Sequence, residues 1–433
     1  MSEHHSVPHT RILLGLVLGA VVGCTAKALV DGEAIPGNVV EGAVKYITHP
    51  VGQIFLNLLF MAIIPLVFAS LAVGVTKLGA TGDLGRIGLR TISYFIVTTA
   101  CAAAIGLSLV NAIRPGDQLP AEQKDRLLAK HGDEAGKKLE EKGIGIDTFV
   151  NIVPKNPLEA FVKKDMLAVI FSALIVGIAL TRIDPSKARV IIDLLEGVNQ
   201  IADFILRLAM ALAPYAVFCL IFSTTAELGF GILKALAAFV LIVLGGLAIH
   251  LFVVLPLLVK FLGGMSPLTF FRKSRGTMVT AFSTSSSSAT LPTTMKCAEE
   301  ELGVPSRVSR FVLPLSASMN HNGTALFESV TVLFLAQVFG QDLTLSQQLV
   351  VLVLCILTAT GMAGVPGGSL PLIGLILIQV HVPPGAIAIV MGVDRILDMC
   401  RTLVNVTADL TTAVYVARTE PPEPPPPEQT PPV

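Results

Sequence analysis

Long apolar segments separated by short polar ones run through most of this chain. They lie at residues 12–29, 51–75, 92–112, 167–180, 205–223, 233–262, 308–339, 349–380 and 386–416. Because about 20 apolar residues suffice for a helix to span a bilayer, the pattern predicts an all-helical protein that crosses a membrane several times. Gly15, Gly19 and Gly23 recur at every fourth residue of the first segment, which predicts a helix that packs closely against a neighbour.

Two of these regions contain breaks that a single spanning helix does not tolerate. One holds a run of serines at 285–288, and the other holds a glycine- and proline-rich break at 363–368. Non-helical backbone at membrane depth occurs where protein buries it or where it lines a cavity. We therefore expect two re-entrant helical hairpins, at 266–301 from the cytoplasmic side and at 345–381 from the outside. Their tips are expected to meet near the middle of the membrane.

The last apolar segment carries charges in a helical pattern. Asp394, Asp398, Arg401 and Asn405 stand at i, i+4, i+7 and i+11, and Asp409 continues their line. Charges in a spanning helix are expensive and face a polar interior. One interpretation is an ion-pair stripe that only joins helices. We favour a binding face, because Arg401 suits a carboxylate and Asp398 suits an ammonium group. Together with the serine tip, this face predicts a pocket for an acidic amino acid.

Residues 318–324 form a polar interruption of a different kind. Their asparagines and glycine predict an unwound turn whose oxygen atoms suit a hard cation such as sodium, with Asp409 as the carboxylate ligand. Glu328 lies one helical turn further on and is a candidate proton carrier if it is buried. The alternative for Glu328 is a partner for Arg395 or another cation. We expect His321 to be a hydrogen-bonded structural residue rather than a metal ligand.

Composition supports a membrane protein and excludes some other classes. The chain has 433 residues, of which 53% are hydrophobic and 14% are charged, whereas soluble domains carry about 25% charged residues. The 31 basic and 31 acidic residues cancel, so net charge gives no reason to expect nucleic acid as a partner. The six cysteines lack the spacing of zinc or redox motifs, which predicts packing residues.

Basic residues cluster at 77–90, 182–189 and 260–275. By the positive-inside rule these loops are cytoplasmic. Both termini are also expected in the cytoplasm. The short termini suggest the inner membrane of a bacterial cell, with the lipid bilayer as the surrounding partner.

The motifs resemble those of the dicarboxylate/amino acid:cation symporters, which include the glutamate transporters. The resemblance rests on residues 286–292, 320–324, 364–367 and 394–409, and it extends over 10–420. It implies the elevator-type glutamate transporter fold, an all-α polytopic membrane protein with eight transmembrane helices and two re-entrant hairpins. It also implies a homotrimer in which a transport domain moves against a trimerising scaffold.

This resemblance divides the chain into segments. They are a cytoplasmic tail at 1–10, scaffold helices 1 and 2 at 11–75, transport-domain helix 3 at 76–115, an extracytoplasmic loop at 116–158, scaffold helices 4 and 5 at 159–230, a transport domain at 231–419 and a proline-rich disordered tail at 420–433. The transport domain would contain helices 6 to 8 and both hairpins.

The resemblance also implies roles for individual residues. The substrate-binding residues would be Ser286, Ser287, Ser288, Thr324, Gly361, Gly364, Asp398, Arg401, Thr402 and Asn405. The cation-binding residues would be Thr98, Thr99, Ser316, Ser318, Asn320, Asn322, Asn405 and Asp409, with Asn320, Asn405 and Asp409 holding one sodium. In this scheme Asp398 binds the substrate amino group, and its presence favours an amino acid over succinate or fumarate.

Three departures from the family pattern affect the coupled ions. Asn322 replaces the usual aspartate of a sodium site, although Thr98 and Thr99 keep the hydroxyl partners. Met362 replaces a threonine beside another sodium position. The family's second arginine is displaced to Arg395, which is expected to support the charge of its neighbouring aspartates, Asp394 and Asp398. These departures suggest fewer sodium ions, with protons on Glu328 contributing to the driving force.

The predicted function is secondary active uptake of glutamate or aspartate, coupled to sodium, protons or both, and not an enzymatic activity. A proton- or sodium-coupled C4-dicarboxylate carrier is the alternative. A remote alternative is an intramembrane serine hydrolase that uses the serine tract and His321, although the chain has no G-x-S-x-G motif. A passive channel is a further possibility, which concentrative uptake would exclude.

Overall fold

A computed structural model describes residues 9–76, 83–119, 153–163, 166–362 and 367–420. Over these ranges the regular elements are helices and there are no strands, which confirms the all-helical prediction. The helices are α1 His9–Asp31, α2 Gly37–Ala43, α3 His49–Thr76, α4 Asp83–Ile113, α5 Pro157–Lys163, α6 Met166–Leu180, α7 Pro185–Leu228, α8 Phe230–Ile249, α9 Leu255–Phe261, α10 Pro267–Thr284, α11 Ser287–Lys296, α12 Ser306–Met319, α13 Asn322–Val338, α14 Leu345–Gly361, α15 Ser369–Gln379 and α16 Ala388–Thr419.

Parts of the predicted organisation lie outside the described residues. These are the first eight residues of the N-terminal tail, the proline-rich tail after residue 420 and most of the loop at 116–158. Short turns link several helices. They are the π-helical turns Val44–Thr48, His250–Val254 and Cys297–Glu301 and the 3-10 turns Pro115–Gln118 and Pro384–Ile387.

Five described segments are long and apolar enough to cross a membrane. They are Leu14–Asp31, Gly37–Thr76, Arg86–Gln118, Pro185–Ala226 and Gly231–Phe261. Helix α16 has 32 residues, but charged side chains interrupt its apolar sequence. Large hydrophobic side chains are exposed along several of these helices, as at Leu14, Val97 and Leu241, where lipid tails would contact them. The predicted total of eight spanning helices remains a prediction.

The glycine stripe of α1 packs directly on α7. A Cβ atom added to Gly15 would lie 2.4 Å from the carbonyl oxygen of Pro214, and one added to Gly23 would lie 2.0 Å from Oγ1 of Thr225. The Thr225 hydroxyl also donates a hydrogen bond to the carbonyl of Gly19, at 3.3 Å. The prediction of a close helix contact is confirmed, because any larger residue would separate the two backbones.

Both predicted hairpin regions show the helix–break–helix pattern. Helix α10 ends at Ser285, whose φ of 50° is left-handed. Ser286 then caps α11 by accepting a hydrogen bond from the backbone N–H of Ala289 at 3.2 Å. In the second region α14 ends at Gly361 and α15 begins at Ser369. The first break therefore lies where the serines predicted it, whereas residues 363–366 of the second lie outside the described residues.

Helix α13 lies in the interior of the protein. All 17 of its residues are buried, and it packs against α4, α8, α14 and α16. Helices α10, α11 and α12 also pack against α16. The charged helix α16 and the central helix α13 therefore lie side by side within a shell formed by the two hairpins and α4.

Candidate functional site

The charged face of α16 is buried. Arg401 is 1% exposed, and its Nη2 atom donates to Oδ1 of Asp394 and to Oδ1 of Asp398, both at 2.8 Å. Arg395 forms an ion pair with Asp398, with 3.4 Å between Nη1 and Oδ2. Two carboxylates and two guanidinium groups thus balance each other along one helix, as burial of charge requires.

Arg401 retains donors that the described residues do not use. Its Nε and Nη1 atoms are buried and have no hydrogen-bond partner in the described part of the chain. The Cζ atom lies 3.9 Å from the centroid of the Phe327 ring, so the guanidinium plane is held against α13. A buried charged donor without a partner is strongly unfavourable, so this group is suited to an incoming anionic oxygen.

The unwound turn between α12 and α13 forms as predicted, because Asn320 ends α12 and α13 begins two residues later. Asn320 donates from Nδ2 to Oδ1 of Asp409 at 2.9 Å. Asn405 accepts from the backbone N–H of Gly323 at 2.7 Å and donates to Oγ1 of Thr324 at 3.2 Å. Amide and carboxylate groups from α16 therefore hold the broken ends of the two helices.

These residues fit a hard monovalent cation. Asn320 and Asp409 are 0% and 2% exposed, and Oδ1 of Asn320 has no hydrogen-bond partner among the residues described. Unused amide and carboxylate oxygens at an unwound turn are the ligands that a sodium ion takes. The same ranges contain no cluster of three or more His, Cys, Asp and Glu side chains able to hold a metal ion.

A neighbouring cluster contains Asn322, one of the three expected departures from the family pattern. Its Oδ1 atom accepts from Thr99 at 2.8 Å and lies 3.4 Å from Oγ1 of Thr98. Its Nδ2 atom lies 3.3 Å from Nε2 of His250. His250 follows α8 and is completely buried. Sequence reasoning missed it, although a lone imidazole within the apolar segment 233–262 was a visible signal.

Glu328 is also completely buried. Its Oε2 atom accepts from the hydroxyl of Thr358 at 2.7 Å, while Oε1 has no hydrogen-bond partner in the described ranges. Thr358 lies on α14, in the second hairpin, and was not predicted. His321 links the same helix to the unwound turn through Nδ1, which is 2.8 Å from the carbonyl oxygen of Ala359. His321 therefore has the structural role expected for it.

The hairpin residues are distributed unevenly. Ser286 and Ser287 are buried at the first tip, whereas Ser288 is exposed one position later. Gly361 is buried at the end of α14, where an added Cβ atom would lie 2.5 Å from the Leu71 side chain. Gly364 lies outside the described residues. The structure thus brings two of the three predicted serines into the interior.

Three predicted hydroxyl groups bond to the backbone of their own helices. Thr402 donates to the carbonyl of Asp398 at 2.9 Å. Ser316 donates to Val312 at 2.8 Å, and Ser318 donates to Leu315 at 3.0 Å. None of these three hydroxyls bonds to Asn320 or Asp409, and the described link between Ser316 and Asn320 is the backbone hydrogen bond from the Asn320 N–H to the Ser316 carbonyl at 2.8 Å.

Comparison with known proteins decides the family. The Sodium:dicarboxylate symporter family matches residues 9–419. The chain belongs to this family. This confirms the predicted resemblance and shows that the protein is a multi-pass membrane transporter and not an enzyme. The alternative of an intramembrane serine hydrolase is therefore wrong.

Individual relatives are similar over almost the whole chain. A proton/sodium-glutamate symport protein of Bacillus subtilis is 34% identical over 95% of this chain and 92% of its own length. A proton/glutamate-aspartate symporter of Escherichia coli is 31% identical over 95% and 92%. A C4-dicarboxylate transport protein of Bacillus subtilis is 32% identical over 86% of this symporter and 87% of its own length.

Proposed function

We propose that this symporter takes up acidic amino acids, glutamate or aspartate, together with sodium ions, protons or both. The observation that carries the proposal is the buried guanidinium of Arg401, which has unused donors and lies beside the carboxylate of Asp398. One helix face thus offers a cation for a side-chain carboxylate and an anion for an ammonium group. Relatives with glutamate in their names agree with this assignment.

Substrate binding would rearrange the ion pairs of α16. The substrate carboxylate would take the unused Nε and Nη1 donors of Arg401, while its ammonium group would approach Asp398. The positive charge of Arg401 would then need less neutralisation by Asp398. The hydrogen bond of 2.8 Å from Arg401 to Asp394 would remain. The buried serine tip, Ser286 and Ser287, would supply hydroxyl and backbone donors for the α-carboxylate, with Thr324, Thr402 and Asn405 nearby.

A C4-dicarboxylate carrier is the second candidate, because one relative carries that name. Asp398 argues against it, since a substrate without an ammonium group would place a second carboxylate next to this buried one. Competition of labelled aspartate uptake by succinate distinguishes the two. Weak or absent competition is expected, and competition as strong as that of glutamate would favour the dicarboxylate carrier.

Ion coupling is assigned to two places. Asn320, Asn405 and Asp409 would hold a sodium ion near the unwound turn, and Glu328 would carry a proton. The neutral side chain of Asn322 supports a smaller number of sodium ions than a carboxylate would. Uptake into proteoliposomes with sodium and pH gradients imposed separately tests this division. Full dependence on sodium without any effect of pH would reject the proton component.

We also propose an elevator mechanism in a homotrimer, with both termini in the cytoplasm. Scaffold segments would be 11–75 and 159–230, and the transport domain would combine 76–115 with 231–419. The α1–α7 glycine contact lies within the proposed scaffold, and the binding residues lie within the proposed transport domain. Gly361 and Gly374 of the second hairpin region pack against Leu71 and Phe60 of α3, respectively. The proposed transport domain would slide against the proposed scaffold at these contacts.

Charge removal at Arg401 tests the pocket itself. Glutamate and aspartate binding should be lost in Arg401→Cys, because the variant removes the buried guanidinium whose Nε and Nη1 donors are unused, while neutral amino acids could gain affinity. Binding is measured by calorimetric titration of the purified protein in saturating sodium. Tight aspartate binding by the folded variant would refute the assignment.

A further inference from the structure

A hydrogen-bonded cluster joins three helices next to the sodium position. Thr98 and Thr99 come from α4, Asn322 begins α13, and His250 follows the end of α8. All four residues are at most 1% exposed. The cluster therefore connects the first turn of α13 to α4 and to the turn that follows α8 through contacts between polar side chains.

The side-chain oxygen of Asn322 already has partners within the protein. Its Oδ1 atom accepts from Thr99 at 2.8 Å, and Thr98 divides its hydroxyl hydrogen between this atom and the carbonyl of Tyr94. Its Nδ2 atom points to Nε2 of His250 at 3.3 Å. An amide oxygen accepts about two hydrogen bonds. A cation here would replace these bonds and would gain no carboxylate ligand, so the cluster does not fit sodium well.

His250 makes its one described polar contact with Asn322. Its Nδ1 atom is buried without a hydrogen-bond partner in the ranges that the structure describes. Burying an imidazole among apolar residues is less favourable than burying a leucine. The residue also begins a π-helical turn, His250–Val254, and such turns frequently occur at functional sites. The contact with Asn322 is therefore the described interaction that accounts for an imidazole at this buried position.

We propose that His250 is a positioning residue that braces Asn322 in place of a bound ion. The inference rests on the cation-coupled symport proposed above. Nε2 accepts from the amide of Asn322 and so directs the amide oxygen to Thr98 and Thr99. Because Asn322 directly precedes the residues that bond to Asn405, the brace keeps the substrate pocket assembled without sodium at this position.

Two substitutions of His250 test the brace, with glutamate affinity measured by calorimetry over a range of sodium concentrations. His250→Leu removes the acceptor and should weaken glutamate binding about 10-fold at every sodium concentration, as expected for one lost buried hydrogen bond. His250→Gln retains an acceptor for the amide of Asn322. It should restore the affinity to within about 3-fold of the native value.

Asn322→Asp tests the replacement of the ion. The new carboxylate, with the two threonine hydroxyls, recreates an oxygen site for sodium. The slope of log affinity against log sodium concentration should therefore rise by about one. In the double variant His250→Leu/Asn322→Asp, high sodium should recover the affinity lost in His250→Leu, because the ion takes over the bracing role.

The outcomes separate this inference from the proposed function. Native affinity in His250→Leu, or an unchanged sodium slope in Asn322→Asp, would overturn the brace. A native protein that binds no acidic amino acid would instead reject the proposed function. Leu236→Ala is the control for lost packing, because Leu236 is buried on α8 about four turns from His250. It should lower thermal stability without changing affinity or sodium slope.

Discussion

Gly323 of the central helix α13 lies directly against the backbone of the charged helix α16. A Cβ atom at this position would be 2.8 Å from the carbonyl oxygen of Arg401, 3.1 Å from its Cα atom and 3.2 Å from Oδ1 of Asn405. Ordinary contact begins at 3.4 Å, so alanine must separate the helices by about 0.6 Å. Replacing Gly323 by alanine should therefore disturb Arg401 and Asn405 together.

The expected loss of glutamate affinity in Gly323→Ala is about 10- to 100-fold, equivalent to about 1.4–2.8 kcal/mol. The hydrogen bond from the Gly323 N–H to Asn405, now 2.7 Å, would lengthen by a similar distance and lose part of its about 1 kcal/mol. Overpacking adds about 1–3 kcal/mol of strain. Calorimetric titration of glutamate in saturating sodium measures the affinity, and a thermal unfolding scan measures stability.

Gly245→Ala is the matched control. Gly245 lies within α8, and apart from its own helix no heavy atom of the described residues is within 4 Å of an added Cβ atom. Alanine there should leave affinity unchanged and stabilise the helix by up to about 1 kcal/mol. If Gly323→Ala binds glutamate within about twofold of the native protein, the close approach of α13 and α16 does not shape the pocket, and the reasoning fails.

Further variants address other parts of the protein. In Glu328→Gln the response of uptake to an imposed pH gradient should disappear while the sodium response persists, and an unchanged pH response would remove Glu328 as proton carrier. Arg395→Met should weaken substrate binding about 10-fold, because Asp398 loses its second cation; native affinity and turnover would contradict a supporting role. Gly23→Val should lower the unfolding temperature through about 1–3 kcal/mol of overpacking against Thr225, and an unchanged unfolding temperature would show that α1 and α7 can separate freely.

Local features of the interior could be predicted from the sequence. The common face of Asp394, Asp398 and Arg401 follows from helical spacing, and these side chains pair in the structure. The breaks at the serine tract and at Asn320 follow equally from residues that interrupt a helix. Each of these predictions depends only on residues that are close in sequence, within a few helical turns of one another.

Contacts between distant segments could not be predicted in the same way. The sequence around Glu328 does not indicate its hydrogen bond with Thr358, because Thr358 lies on α14, in the second hairpin region. The same holds for the Phe327 ring under Arg401 and for the partners of His250. The position of Ser288, exposed one residue after two buried serines, depends on the rotation of α11 about its axis, which neither composition nor spacing determines.

The distribution of buried charge leaves two acids as candidates for the proposed ion coupling. The four charges of Asp394, Arg395, Asp398 and Arg401 cancel along one part of α16. Asp409 and Glu328 are buried as well, but neither forms a salt bridge with a described residue. A buried carboxylate without a cation is unfavourable in low-dielectric surroundings. In the proposed function, sodium at Asp409 and a proton on Glu328 would each neutralise one acid.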